Sequence, residues 1–220
     1  MGCEEIGWDK IIEIMLEEAE RRKAPVLKLK FENSFQHLLF AVMSSRTRDE
    51  KTARAAKKLF RKVKKPKDLM KMNEDEIAQE IRSVGFYQVK AKRLKEIAEI
   101  IVRDYNSVIP EDFEELLRLP GIGRKTANVF LAHAAGKPAI AVDTHVHRIA
   151  NRMGFVHTEK PHETELELKK LVPEGLWVKL NRAFVGYGQA LCKPVRPLCS
   201  ECKFNKCCSK IGVKVNKTDK

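Results

Sequence analysis

Apolar residues recur with a helical period along almost the whole chain, and this limits the folds open to it. In DKIIEIMLEEAERR, Ile11, Ile12, Met15, Leu16 and Ala19 share one helical face. SFQHLLFAVMSS follows Asn33 or Ser34, either of which can cap it, and its apolar density predicts a buried helix. A basic amphipathic helix is expected from about Asp49 to Val63, closed by Lys64-Lys65-Pro66. Asn73 caps NEDEIAQEIRSV, whose acids suit the positive end of the helix dipole, and Gly85 ends it. KAKRLKEIAEIIVRDY, Asp112 to Leu119 and RKTANVFLAHAA read as further helices. So do THVHRIANRMGF after Asp143 and two segments near 162–172 and 175–188. Only KPAIAV reads as a strand, and it is too short to build a sheet. The expected fold is all-α.

With 220 residues, the chain holds one compact domain or two small ones. No stretch approaches the ~20 apolar residues of a membrane span. MGCEEIGWDK lacks a basic-then-apolar secretory signal, and Ile6 stands where a myristoylation pattern needs Ser or Thr. A cytoplasmic protein without a membrane partner is expected. The net charge of +13, from 43 basic and 30 acidic residues, points to a polyanionic partner. Residues 192–220 concentrate it, with eight Lys or Arg against two acids. Abundant Lys and Glu beside scarce Gln fit a heat-adapted source.

Within LPGIGRKTA (119–127), Gly121 and Gly123 allow positive φ and close approach by another molecule. Arg124 and Lys125 then open a helix whose first amide groups and dipole suit a phosphate. VGFYQVKA (84–91) echoes this segment as a glycine turn followed by a lysine-bearing helix start. Taken alone, Lys125 is one phosphate-binding cation among many. Asp143, just before a helix, is a cap worth ~1 kcal/mol.

Five of six cysteines lie in CKPVRPLCSECKFNKCC. In a reducing compartment such clustering argues for metal and against disulfides. Cys192-x6-Cys199-x2-Cys202-x5-Cys208 supplies four thiolates, with Cys207 an alternative fourth ligand by spacing. Zinc and an iron–sulfur cluster are both open on that pattern. Cys3 stands apart, as a packed or exposed residue.

The hairpin, followed by VDTHVHRIANR and the cysteine loop, resembles the endonuclease III family from about Phe35 to Cys208. These are helix–hairpin–helix DNA glycosylases that carry a [4Fe–4S] cluster. The resemblance implies a six-helix domain over 28–136 and a cluster domain from 1–27 with 137–220, with DNA bound across the cleft between them. It implies iron–sulfur over zinc, Cys208 as fourth ligand, and Cys207 as spare. Lys125 falls on the family's nucleophile and Asp143 on its catalytic aspartate. Arg46 and Phe86 match the two side chains that fill the gap left by an extruded nucleotide, where many relatives carry Gln and Leu. Lys193 and Arg196 join Gly121, Gly123 and Arg124 as DNA contacts, and His145 and His147 read as helix-surface or structural groups.

The resulting expectation is a monomeric, nucleoid-associated base excision repair enzyme. It would remove oxidised or reduced pyrimidines from duplex DNA and cleave abasic sites. The alternatives are an adenine- or thymine-mismatch glycosylase of the same superfamily and a non-catalytic iron–sulfur DNA-binding module.

Overall fold

The computed structural model describes residues 2–47 and 49–213, with Asp49 described by its backbone alone. Among the described residues the regular structure is helical, and KPAIAV forms no strand. The chain divides into two compact units, Leu29–Lys137 and Met1–Lys28 with Pro138–Lys220.

Leu29–Lys137 holds α2 (Ser34–Ser44), α3 (Asp49–Lys62), α4 (Pro66–Met70), α5 (Glu74–Glu80), α6 (Tyr87–Asp104), α7 (Phe113–Leu117) and α8 (Arg124–His133). α2 is the centre: it is buried almost throughout because α3, α6 and α8 pack around it. Asn33 caps it, its Oδ1 accepting from the Gln36 amide at 3.0 Å. Pro66 starts a short helix instead of only closing α3. Its ring fits the first helical position, and Asp68 accepts from the amides of Lys64 and Lys65 at 3.1 Å. Asn73 and Glu76 form a capping box at the start of α5, at 2.9 and 2.8 Å. That helix stops at Glu80, well before Gly85. Ile81 and Val84 turn inward, and the Gly85 amide leaves the helical path to donate to Thr47 Oγ1 at 3.1 Å.

The other unit contains α1 (Trp8–Arg21), α9 (Thr144–Met153), α10 (Pro161–Leu171) and α11 (Trp177–Ala190). α11 packs on α1 and α9, enclosing Ile11, Met15, Ile149, Leu180, Phe184 and Phe204. Cys3 is neither exposed nor merely packed. It is fully buried and disulfide-bonded to Cys207, 204 residues away, which corrects the expectation that no cysteine here pairs. Ion pairs also tie the end of α1 to the cysteine loop. Arg22 bridges Glu18 at 3.3 Å and Glu201 at 2.7 Å, and Lys203 reaches Glu17 at 3.3 Å. The hydrogen bond from Arg21, with help from Arg22, holds the buried Glu18 carboxyl below its usual range.

In Leu29–Lys137, the His37 ring packs edge-on against Phe31 at 4.6 Å, and its buried Nδ1 has no hydrogen-bond partner. Burial, with a smaller push from His133, brings it down from 6.5 to about 4. The unfolded chain therefore takes up this proton first. Stability from His37 is complete above pH ~6.5 and falls towards pH ~4, by up to about 3 kcal/mol. Urea unfolding across this window should show that loss in the wild type and a shallower one in His37→Phe. Equal slopes would contradict the assignment.

Candidate functional site

The hairpin is built from both of its helices. Asp112 Oδ1 accepts from the amides of Glu114 and Glu115 at 2.9 and 3.0 Å, starting α7. Gly121 has φ +77°, and a Cβ there would lie 2.7 Å from Arg93 Cδ. Gly123 differs from expectation: at φ −102° its backbone is extended, and it needs no glycine for its angles. A Cβ at Gly123 meets nothing within 4 Å, so the approach to it is open. Having no side chain, Gly123 cannot cap α8, and the first-turn amides stay available at the positive end of the dipole. The Arg124 guanidinium lies 5.0 Å from the centre of the Phe113 ring. Lys125 is exposed in that first turn.

Arg46 and Phe86 are both exposed, and both have left-handed backbones, at φ 52° and 56°. Phe86 is 66% exposed, which rules out core packing, and Val89, 51% exposed, follows it one helical turn later. Sequence reasoning missed Val89, although its spacing from Phe86 marks a shared apolar edge. The echo between VGFYQVKA and PGIGRKTA ends at the glycine turn. Lys125 is the second residue of α8 and exposed, whereas Lys90 is the fourth residue of α6 and buried.

Asp143 is half-buried at the N-cap of α9, where Oδ1 accepts from the amides of His145 and Val146 at 2.8 and 2.9 Å. Both cap bonds fall on Oδ1, so the cap makes no use of Oδ2. The preceding segment is held by Asn181, whose Nδ2 donates to the Ala141 carbonyl at 2.6 Å. No linear motif announced that support. His147 Nδ1 lies 2.6 Å from Thr164 Oγ1, and His145 Nδ1 lies 3.1 Å from Arg148 Nη2. Lys125 and Asp143 belong to different units, and each is placed within its own.

Cys192, Cys199, Cys202 and Cys208 take no part in a disulfide and together line a cavity of about 30 Å³ with Tyr187, Leu191 and Phe204. Burial raises the Cys202 and Cys208 thiols, so a cationic centre is needed to hold both as thiolates. Burial also pushes the Tyr187 phenol far up, so it stays protonated, and its oxygen lies 3.1 Å from Cys202 Sγ. Arg152 donates to Cys192 Sγ at 3.6 Å and to the carbonyls of Lys193 and Pro194 at 2.7 and 2.9 Å. Among the described residues, no three His, Cys, Asp or Glu groups gather around a single ion. Lys193 and Arg196 stand exposed on this loop, but Lys203 is drawn into ion pairs with α1. Lys62 and Lys64 likewise pair with Glu80 and Glu32. Lys214, Lys217 and Lys220 lie outside the described residues.

Residues 39–174 match the HhH-GPD superfamily of base excision DNA repair proteins. Endonuclease III of Thermotoga maritima is 49% identical over 79% of this chain and 82% of its own. A trapped endonuclease III–DNA covalent intermediate superposes with a TM-score of 0.82 at 34% identity, covering 92% of this chain and 95% of that one. A thermostable thymine-DNA glycosylase reaches 0.78 at 27% identity, with the same coverage. The chain belongs to the HhH-GPD superfamily of base excision DNA repair proteins and, within it, to the endonuclease III family. It is a base excision repair DNA glycosylase and abasic-site lyase that acts on damaged DNA. Among the described residues, no helix is long and apolar enough to cross a membrane.

With Lys62, Lys64 and Lys203 engaged in ion pairs, the exposed Lys193 and Arg196 of the cysteine loop would neutralise about two phosphates. Their share of the fall of log K for duplex DNA with log salt should then be a slope of about −1.8. A flat titration would contradict a phosphate interface built from these residues.

Proposed function

We propose that the enzyme removes oxidised or reduced pyrimidines from duplex DNA as a monomer and cleaves the strand through Lys125. The observation that carries this reading is an exposed lysine in the first turn of a helix whose N-cap glycine leaves the helix start open. The unprotonated amine attacks C1′, the glycosidic bond breaks, and its electrons leave with the base, which takes up a proton. The sugar ring opens to an imine on Nζ. Loss of a C2′ proton then expels the 3′ phosphate by β-elimination. Asp143, anchored through Oδ1, stabilises the cationic sugar and moves protons. Arg46 and Phe86 occupy the gap that the extruded nucleotide leaves. A thymine-DNA glycosylase among the structural neighbours favours a thymine-mismatch reading, and an exposed lysine at this position argues against it.

We assign Cys192, Cys199, Cys202 and Cys208 as the ligands of a [4Fe–4S] cluster. Bound there, the cluster supplies a cationic core that holds the thiolates and fixes the loop bearing Lys193 and Arg196. Cys207 is unavailable as a ligand because its sulfur is bonded to Cys3.

Single-turnover assays that score base release and strand cleavage separately test the roles. Lys125→Gln should lose strand cleavage while binding DNA with only a modest loss. Asp143→Asn keeps the cap, because Asn caps about as well as Asp, yet should slow base release roughly 10²–10⁴-fold. Wild-type cleavage by Lys125→Gln would overturn the assignment. Purified protein should contain about four irons, reduced in Cys199→Ala and Cys208→Ala and retained in Cys3→Ala and Cys207→Ala. Stoichiometric zinc would contradict the cluster.

A further inference from the structure

Lys90 belongs to none of the groups described above, yet it lies beneath two of them. It is 5% exposed and makes no ion pair with a carboxylate among the described residues. A buried ammonium costs stability unless its protons find acceptors. Here all three do: Nζ donates to the Met43 carbonyl at 2.8 Å, the Ser45 carbonyl at 2.5 Å and Thr47 Oγ1 at 3.1 Å. The two carbonyls are at the C-terminal end of α2, where helix geometry leaves acceptors unmatched and the dipole is negative.

Thr47 extends this contact to the neighbouring loop. Its hydroxyl oxygen also accepts from the Gly85 amide at 3.1 Å, while its proton goes to the Ser45 carbonyl at 3.2 Å. One donor and two acceptor sites are thereby all used. Gly85 makes the close approach feasible, since a Cβ there would sit 3.2 Å from the Arg46 carbonyl and 3.3 Å from Thr47 Oγ1. Ser83 adds a further tie, donating to the Lys51 carbonyl at 3.2 Å. Arg46 follows one anchored residue, Ser45, and precedes another, Thr47. Phe86 follows Gly85 and accepts the Lys90 amide at 3.0 Å. Both are left-handed non-glycine residues, a strained conformation that persists only where its surroundings impose it.

We infer that Lys90 is a positioning residue for base extrusion: through Met43, Ser45 and Thr47 it locks the Arg46 loop to the Phe86 loop, so that both side chains stand out in a fixed relation. The inference rests on the reading of Arg46 and Phe86 as the residues that fill the gap. A hydrophobic side chain in the same space would remove a donor from each of the three acceptors, leaving the Ser45 carbonyl to Thr47 and the Thr47 oxygen to Gly85. Lys90 touches neither base nor sugar and acts through the geometry of the two loops.

The test compares base release from a lesion in paired duplex with release from the same lesion in a short unpaired bubble, where little stacking has to be broken. Holoenzyme carrying Lys90→Met or Thr47→Val is assayed at single turnover beside Arg46→Ala and Phe86→Ala, with thermal unfolding of each variant. Lys90→Met and Thr47→Val should slow the duplex reaction roughly tenfold or more, as expected for misplaced positioning groups, and the bubble should restore most of that loss. Thr47→Val removes one hydroxyl at nearly constant volume, so it carries the test if Lys90→Met does not fold. Equal losses on both substrates, or none, would overturn the lock. Should Arg46→Ala and Phe86→Ala leave the duplex reaction unchanged, the gap-filling reading fails and the lock with it. If those two slow it selectively while Lys90→Met and Thr47→Val do not, the lock alone fails.

Discussion

Each helix of this chain begins with amide groups that need acceptors, and what meets them decides where chemistry can occur. Asn33, Asn73, Asp112 and Asp143 each turn a side-chain oxygen onto the first amides of their helices. α8 begins at Gly123, which has no side chain to offer. A phosphate or developing anion is the natural partner for such a start, and Lys125 is placed in the same turn. The cap at Asp143 follows the same constraint with a different outcome. Using Oδ1 for both amides fixes the carboxylate without occupying Oδ2. In the proposed mechanism capping and catalysis share this one residue, the cap using Oδ1 alone.

Two lysines show how far a small offset along a helix carries. Lys125 stands exposed in the first turn of α8, while Lys90 lies inside the unit with all its protons engaged. Burial, with a smaller contribution from Arg93, lowers Lys90 to about 8. A low pKa alone would nominate it as a nucleophile, but its lack of access excludes it. Exposure separates the proposed nucleophile from the buried lysine.

Much of the architecture was legible because it rests on local rules. The helical periods and the Asn and Asp caps are written in adjacent residues. Pro66 misled because Lys-Lys-Pro reads as a stop, whereas proline also fits the first position of a new helix. The end of α5 was misplaced for the opposite reason: Gly85 serves a close approach to Thr47 and Arg46, and the helix had already ended at Glu80. What stayed illegible was long-range. Nothing near Cys3 announces a bond to Cys207, and nothing near Lys203 announces Glu17. The support of the Asp143 lead-in by Asn181 spans 40 residues. The cysteine spacing left Cys207 and Cys208 both open as ligands, and the disulfide separates them.

The account stands on Lys125 as the amine that bonds to the sugar. Borohydride added during turnover on lesion-bearing duplex, followed by proteolysis and mass mapping of the protein–DNA adduct, identifies that amine directly. The account predicts the reduced sugar on the peptide that carries Lys125, and none on Lys90 or the amino terminus. An adduct mapped to any other amine, with Lys125 unmodified, would contradict it.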